Sequence, residues 1–341
     1  MERKEALKRL GALVMVMALL FSLGACGKED EPQQEEKAKV KDLQKVTVVL
    51  DYVPNTNHTG IYVAKDQGYY QEEGLDVDIV EPTYDATNTL IAAGKGDFGI
   101  SFQEDVIYAR EAEDPLPIKA IAAIIQHNTS GFATYGPKDI DSPLEFEGRT
   151  YAGWGSPAEA AVIKAVMEKK GGDFSKLKMV TMDTVTYDML KDKVDIMWLY
   201  WAWDGIAAKR AGMDLNYMEL KSFDKRLDYY TPVIVANEKT LKQDPEMVKA
   251  FLRATEKGYR YAVEKPDDAA GILHKFCPDY DIGFLKESQE YLAWKYYEGA
   301  KVWGSMKESV WQGYMDFMKE NNLIEGKVKA KDCYTNDYLP E

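Results

Sequence analysis

The chain has 341 residues, 45% of them hydrophobic and 12% aromatic, and carries a net charge of −14. That composition is ordinary for a folded globular protein. The acidic balance argues against nucleic-acid binding, which needs a basic surface to displace counterions.

The N-terminal segment reads as a processing signal. Arg3, Lys4, Lys8 and Arg9 form a positive start, and an apolar stretch runs from Leu10 to Leu23. It is short for a membrane span and fits the apolar core of a signal peptide. Leu23-Gly24-Ala25-Cys26 looks like a lipobox, which implies cleavage before Cys26 and a diacylglycerol on its sulfur. Residues 26–42 (CGKEDEPQQEEKAKVKD) are too polar to bury a core and are expected to act as a flexible tether. About 300 residues remain from Leu43 onward, enough for two domains. No second long apolar run follows, so the mature body is expected to be soluble and held to a membrane by its lipid. Cys277 and Cys333 suit a disulfide in an oxidising compartment, but spacing does not place them together.

From there strand and helix signals alternate. Residues 46–52 read as a strand, 59–67 as a helix, and 75–81 (LDVDIVE) alternates apolar and acidic residues like a half-buried strand. A short helix over 86–93, a strand over 97–102 and apolar β runs at 118–125 and 131–135 follow. This β-α-β order predicts a parallel sheet flanked by helices. The rhythm restarts with a strand at 149–154, an amphipathic helix at 158–169 (AEAAVIKAVMEK) and a strand at 178–182. A short helix at 187–191, a strand at 194–199, a helix from 205 and strands at 215–220 and 231–236 complete it. Beyond Asp244 the pattern is helical. Two α/β units and a helical tail suggest two lobes, the tail returning to the first.

Ligands of open α/β sheets bind outside the carboxyl ends of strands. The residues following each strand are therefore candidates. Asp51, Tyr52, Asn55, Asn57 and His58 follow the first strand; Ser101, Gln103 and Glu104 follow the strand at 97–102. Trp154, Gly155, Ser156 and Glu159 follow the next, then Asp183 and Thr184, then Tyr200, Trp201, Trp203 and Asp204. Five polar-aromatic clusters converge on one crevice. Trp154, Tyr52, Tyr200, Trp201 and Trp203 offer flat faces for stacking a planar ring. Glu104, Asp183, Asp204 or Glu159 can accept from a ring amino group, and Asn57, His58, Ser101 and Gln103 supply mixed donors and acceptors. With no cationic side chain among them, the set suits a neutral or cationic heteroaromatic compound rather than an oxyanion. Several of these residues also have plain structural readings. Asp204 and His58 are placed to cap the helices that follow, Ser156 and Pro157 read as N-cap and N1, and the aromatics of WLYWAW fit a core.

DYVPNTNHTGIYVAKDQGYYQEEGLDVDIVEP, LIAAGKGDFGISFQED, YAGWGSPAEAA, WAWDGI and YTNDYLP together resemble periplasmic-binding-protein-like domains related to the thiamine-pyrimidine synthases. Within that group the similarity is greatest to lipoproteins that bind formylaminopyrimidine-type thiamine precursors for ABC importers. The resemblance implies a type II binding-protein fold: two α/β lobes closing on a ligand in the cleft between them. By analogy lobe 1 is 43–129 plus 232–341 and lobe 2 is 130–231. It implies a monomer with no cofactor, anchored on the outer face of a bacterial membrane and serving a permease and an ATPase. The cargo would be a formylaminopyrimidine or hydroxymethylpyrimidine, with another flat heterocycle such as riboflavin as the alternative. In the synthase branch a lysine holds pyridoxal phosphate and a histidine supplies ring atoms. Alignment on AGKGDFGISFQED puts Ser101 and Asp105 at those positions, and the branch's cysteine-rich metal motif is missing. The resemblance therefore points to binding rather than catalysis.

Overall fold

The computed structural model describes residues 43–81, 87–182, 184 and 186–340. The segments expected to be a signal peptide and a tether, together with Cys26 and Asp183, lie outside the described residues. Among the described residues, ten strands form two five-stranded sheets. The first holds β1 (Gln44–Val49), β2 (Leu75–Val80), β3 (Phe98–Ser101), β4 (Ile118–Ala123) and β10 (Val233–Asn237), in the order β2-β1-β3-β10-β4. The second holds β5 (Ser130–Tyr135), β6 (Thr150–Gly153), β7 (Lys178–Thr181), β8 (Ile196–Tyr200) and β9 (Leu215–Glu219), in the order β7-β6-β8-β5-β9. Both are mixed rather than parallel. β1, β2 and β3 run parallel, as do β6, β7 and β8, but β10 is antiparallel to β3 and β4, and β5 to β8 and β9. The antiparallel strands are those the chain enters after crossing from the other sheet, so no βαβ crossover sets their direction.

Local patterning explains the strands. In β2, Leu75 and Val77 are buried while Asp76 and Asp78 face water. In β10, Ile234 and Ala236 pack into one core and Val233 and Val235 into the other, because successive side chains leave opposite faces. The helix Pro245–Glu264 lies on the first sheet, where Phe251 stacks on Phe98 with centroids 3.9 Å apart. Cys277 belongs to one core and Cys333 to another; both are free, and burial pushes their thiols up to about 11 and about 12. The disulfide open to the sequence is therefore not formed.

Two crossing segments join the sheets, one after β4 and one after β9. They bond to each other. Ile124 N–H donates to the Pro232 carbonyl (3.0 Å), Asn128 Nδ2 to the Leu227 carbonyl (2.9 Å) and Asn128 N–H to Asp228 Oδ1 (3.0 Å). His127 Nδ1 lies 2.7 Å from Asp228 Oδ2. The Asp228 hydrogen bond raises the imidazole pKa above its usual value, against partial burial; Glu298 adds to the rise and Lys221 opposes it. A raised folded-state pKa means that the clasp stabilises fully below the unfolded value, near 6.5, and fades as pH climbs through the folded one. The thermal stability lost in His127→Gln should accordingly be larger at pH 6 than at pH 9. The pair is partly exposed, so the difference should stay below about 1 kcal/mol. Equal losses at both pH values would show that the ion pair adds nothing to the crossing.

Candidate functional site

A hollow of about 270 Å³ opens where the carboxyl ends of β3, β6 and β8 meet the second crossing segment. Phe102, Glu104 and Asp105 line it from the first sheet's side, Trp154, Trp198 and Tyr200 from the second, and Tyr229 and Thr231 from the crossing. Five aromatic residues thus stand around three carboxyl groups, those of Glu104, Asp105 and Glu159. Trp154 is half exposed and meets Trp198 edge-on at 5.4 Å. No Lys, Arg or His is among the residues lining this hollow.

Glu104 is the chemical centre. It lies in the first turn of the helix Gln103–Glu111, and the Tyr314 hydroxyl, from the helix Glu308–Glu320, donates a hydrogen bond to it. Burial outweighs that bond, so its carboxyl is pushed up to about 7; the neighbouring acids Asp105 and Glu159 add to the rise. At neutral pH Glu104 can therefore donate through O–H and accept through its other oxygen. Asp105 stays open to solvent at the cleft mouth. Crowding by protein atoms, and then the Asp51 charge, push its carboxyl up to about 6. Tyr229 and Tyr314 lie 4.2 Å apart, fixing the wall behind Glu104.

The Trp154 loop is built around a different acid. Glu159 is buried; Oε2 accepts from the N–H groups of Gly155 (2.7 Å) and Ser156 (3.2 Å), and Oε1 from Trp154 N–H (3.2 Å) and the Tyr151 hydroxyl (2.5 Å). Ser156 returns the favour as N-cap of the helix Pro157–Lys169, its Oγ accepting from Glu159 N–H at 3.1 Å. Gly155 has φ +81, in the left-handed region, and this lets the loop wrap the carboxylate. Glu159 and Ser156 thus hold Trp154 in place, and Glu159 also lines the hollow.

Other sequence candidates also serve the scaffold. Gln103 is fully buried, with Oε1 taking Tyr230 N–H and Nε2 reaching the Val310 carbonyl. His58 is fully buried; Nδ1 accepts from Asn55 N–H, so Nε2–H donates to Asp51 Oδ1 at 2.7 Å. Asn57 donates its N–H to Asn55 Oδ1 and accepts the Tyr259 hydroxyl at its carbonyl. Tyr52 is 60% exposed and lines none of the hollows described here. Trp203 packs on Tyr280 and Phe284. With Asp204, whose carboxyl burial raises, it lines a separate hollow against the helix Ile282–Lys295. Asp204 also accepts weakly from Tyr200 N–H at 3.4 Å. Trp201 tilts onto Tyr217. Ser101 is buried on the first sheet's side, in a hollow adjoining that of Glu104.

The crevice therefore gathers Glu104, Trp154, Glu159 and Tyr200 from the sequence candidates, with Ser101 next door. Phe102, Asp105, Tyr229 and Tyr314 escape the strand-end rule. Phe102 and Asp105 sit within a few positions of Glu104 and a longer window would have included them. Tyr229 precedes a strand rather than following one, and Tyr314 lies 210 residues from Glu104.

A family model described as NMT1/THI5-like matches residues 55–269. The formylaminopyrimidine-binding protein of Halalkalibacterium halodurans is 28% identical over 97% of this chain and 99% of its own length. The riboflavin-binding protein RibY of Chloroflexus aurantiacus is 24% identical over 87% of each. A 4-amino-5-hydroxymethyl-2-methylpyrimidine phosphate synthase of Legionella pneumophila is 24% identical over 87% of this chain and 93% of its own. Among solved structures, the periplasmic aliphatic sulphonate binding protein SsuA of Escherichia coli superposes with a TM-score of 0.64 at 12% identity, covering 87% of this chain and 92% of that one. With two mixed sheets, a cleft between them and a family match over most of the described body, the chain belongs to the NMT1/THI5-like family.

Proposed function

We propose that this protein is the solute-binding component of an ABC importer and captures a thiamine-precursor aminopyrimidine of the formylaminopyrimidine or hydroxymethylpyrimidine type. The observation that carries this reading is the Glu104 carboxyl, bonded by Tyr314 and set among aromatic side chains in a hollow whose described lining includes no cation; burial pushes it up to about 7, so it can hold a proton near neutral pH. An aminopyrimidine presents a ring nitrogen beside an exocyclic amino group. One carboxyl group answers both, donating O–H to the nitrogen and accepting from the amine. The flanking aromatics cover the ring faces. Sulfonate or nitrate would meet Glu104 and Asp105 with no counter-charge, although SsuA shares the fold.

Binding rather than catalysis is the reading we favour, because the resemblance puts Ser101, which cannot form a Schiff base, at the position of the synthases' cofactor lysine. A flat absorbance spectrum on adding pyridoxal phosphate is the expected result. We take lobe 1 as 43–129 with 232–341 and lobe 2 as 130–231, Cys26 as the lipid-bearing residue and the outer face of the membrane as the location. No helix among the described residues is long and apolar enough to cross a membrane. Mass spectrometry of the membrane-extracted protein would reveal or exclude the diacylglycerol.

Calorimetry on the chain from Gly27 with formylaminopyrimidine, hydroxymethylpyrimidine, thiamine and riboflavin tests the cargo. Heat with the pyrimidines is expected, and silence from both would reject this ligand class. Trp154→Ala should weaken pyrimidine binding about 10- to 100-fold, the scale of one lost base–aromatic stack. An unchanged affinity would remove Trp154 from the site.

A further inference from the structure

The hollow around Glu104 does not end at Phe102. Phe102 and Asp105 also line a second hollow of about 450 Å³, walled further by Asp51, Asn88, Ser101 and Tyr108. Nothing in the recognition of an aminopyrimidine ring uses this annex, yet its polar groups are placed for a partner. Asn88 is only 7% exposed, and its Oδ1 is buried with no hydrogen-bond partner among the described residues. The Tyr108 hydroxyl is likewise buried and unpartnered. Buried polar atoms left in this state are rare and call for an explanation such as an absent ligand. His58 Nε2–H holds Asp51 through Oδ1, and no described residue donates to Oδ2. Among the described residues, no Lys, Arg or His lines the annex.

We propose that the annex receives a hydrogen-bond-donating substituent of the cargo, an amine or a hydroxyl, and rejects its phosphate ester. This rests on the reading of the Glu104 hollow as the ring site. Two carboxylates and an amide oxygen form an acceptor-rich wall. An N–H or O–H group reaching past Phe102 would satisfy Asn88 Oδ1 and gain from Asp51 and Asp105. A phosphate on the same arm would bring its charge against both acids with no cation to offset it. The protein then sorts its cargo by the state of the side arm and admits the dephosphorylated compound.

Titration calorimetry at pH 7.5 would use 4-amino-2-methylpyrimidine, its 5-hydroxymethyl derivative and the phosphate ester of that derivative. The hydroxymethyl compound should bind about tenfold more tightly than the parent ring, the value of one or two hydrogen bonds to groups otherwise left buried and unpaired. The ester should bind at least about tenfold more weakly than the alcohol. Asp105→Asn, a nearly isosteric change at an open position, should shrink the alcohol-to-ester ratio severalfold, and Asn88→Leu should shrink the alcohol-to-parent ratio. Parent binding with all three affinities within twofold would overturn the annex and leave the ring site standing. So would an alcohol-to-ester ratio unchanged in Asp105→Asn. If none of the three compounds binds, the pyrimidine reading falls and the annex with it.

Discussion

Glu104→Gln is expected to keep most of the aminopyrimidine affinity at pH 6 and to abolish its decline in alkali. The wild-type pair of carboxyl and aminopyrimidine shares one proton, whichever partner carries it. Glu104 holds a proton up to about pH 7 because burial disfavours its charge. Above that value the proton leaves, and the carboxylate faces the lone pair of the ring nitrogen. Affinity should then fall, by up to about tenfold per pH unit. A Gln amide keeps one donor and one acceptor and does not titrate. Glu104→Ala, by contrast, removes both and orphans the Tyr314 hydroxyl, so it should cost about 10- to 100-fold at every pH. Calorimetry from pH 5.5 to 9 on the three proteins decides the matter. A Gln variant that follows the wild-type pH profile would place the titrating group elsewhere, with Asp105 the next to test.

The same substitution should stabilise the empty protein. In the unfolded chain Glu104 ionises near 4.5, and in the folded protein at about 7. Between those values the unfolded state loses its proton first, so stability falls as pH rises; above 7 the full cost, on the order of 2–3 kcal/mol, persists. Glu104→Gln removes that cost at pH 8 and changes little at pH 4. A melting temperature raised at pH 8 alone would show that the site maintains its buried acid at the expense of fold stability.

Gly258→Ala should be among the most damaging single methyl additions in the chain. The helix Pro245–Glu264 crosses the helix Thr59–Asp66 with their backbones in contact. A Cβ on Gly258 would lie 1.9 Å from the Gly60 carbonyl oxygen and 3.0 Å from Ala64 Cβ. A Cβ on Gly60 would lie 2.3 Å from the Tyr259 ring. The first obstacle is backbone and cannot rotate away, so the helices must separate, at a cost of about 3 kcal/mol. The damage should reach the cleft, since the helix Thr59–Asp66 follows directly on His58, which holds Asp51. Gly271→Ala, in the helix Pro266–His274, meets nothing within 4 Å and is the control. It should be neutral or stabilise by up to about 1 kcal/mol. Equal melting temperatures for the two variants would refute the close-contact argument.

Local chemistry made much of the fold legible. The alternation in LDVDIV marks β2, and the periodicity of AEAAVIKAVMEK behind Ser156 and Pro157 marks the helix Pro157–Lys169. The helix Gln103–Glu111 was not legible. Its sequence, QEDVIYARE, buries only Gln103, Val106 and Ile107 and so lacks a clear apolar stripe. The direction of β5 and β10 was also hidden, because pairing partners far apart in sequence leave no local trace.

The strand ends were likewise a sound guide to where a cleft would form but not to which side chains would face it. A polar residue at a strand end can turn outward to a ligand or inward to an unpaired backbone group, and its type does not decide between them. Gln103, His58, Ser156 and Glu159 turned inward because crossing segments and helix starts left N–H and C=O groups needing partners there. By itself, then, the sequence determined the α/β class, the acidic and aromatic character of the crevice and the family. Only the tertiary structure decided that Glu104, among the acids lining the hollow, is the one bonded to Tyr314 with a raised pKa, since its burial and that bond come from elements more than two hundred residues apart.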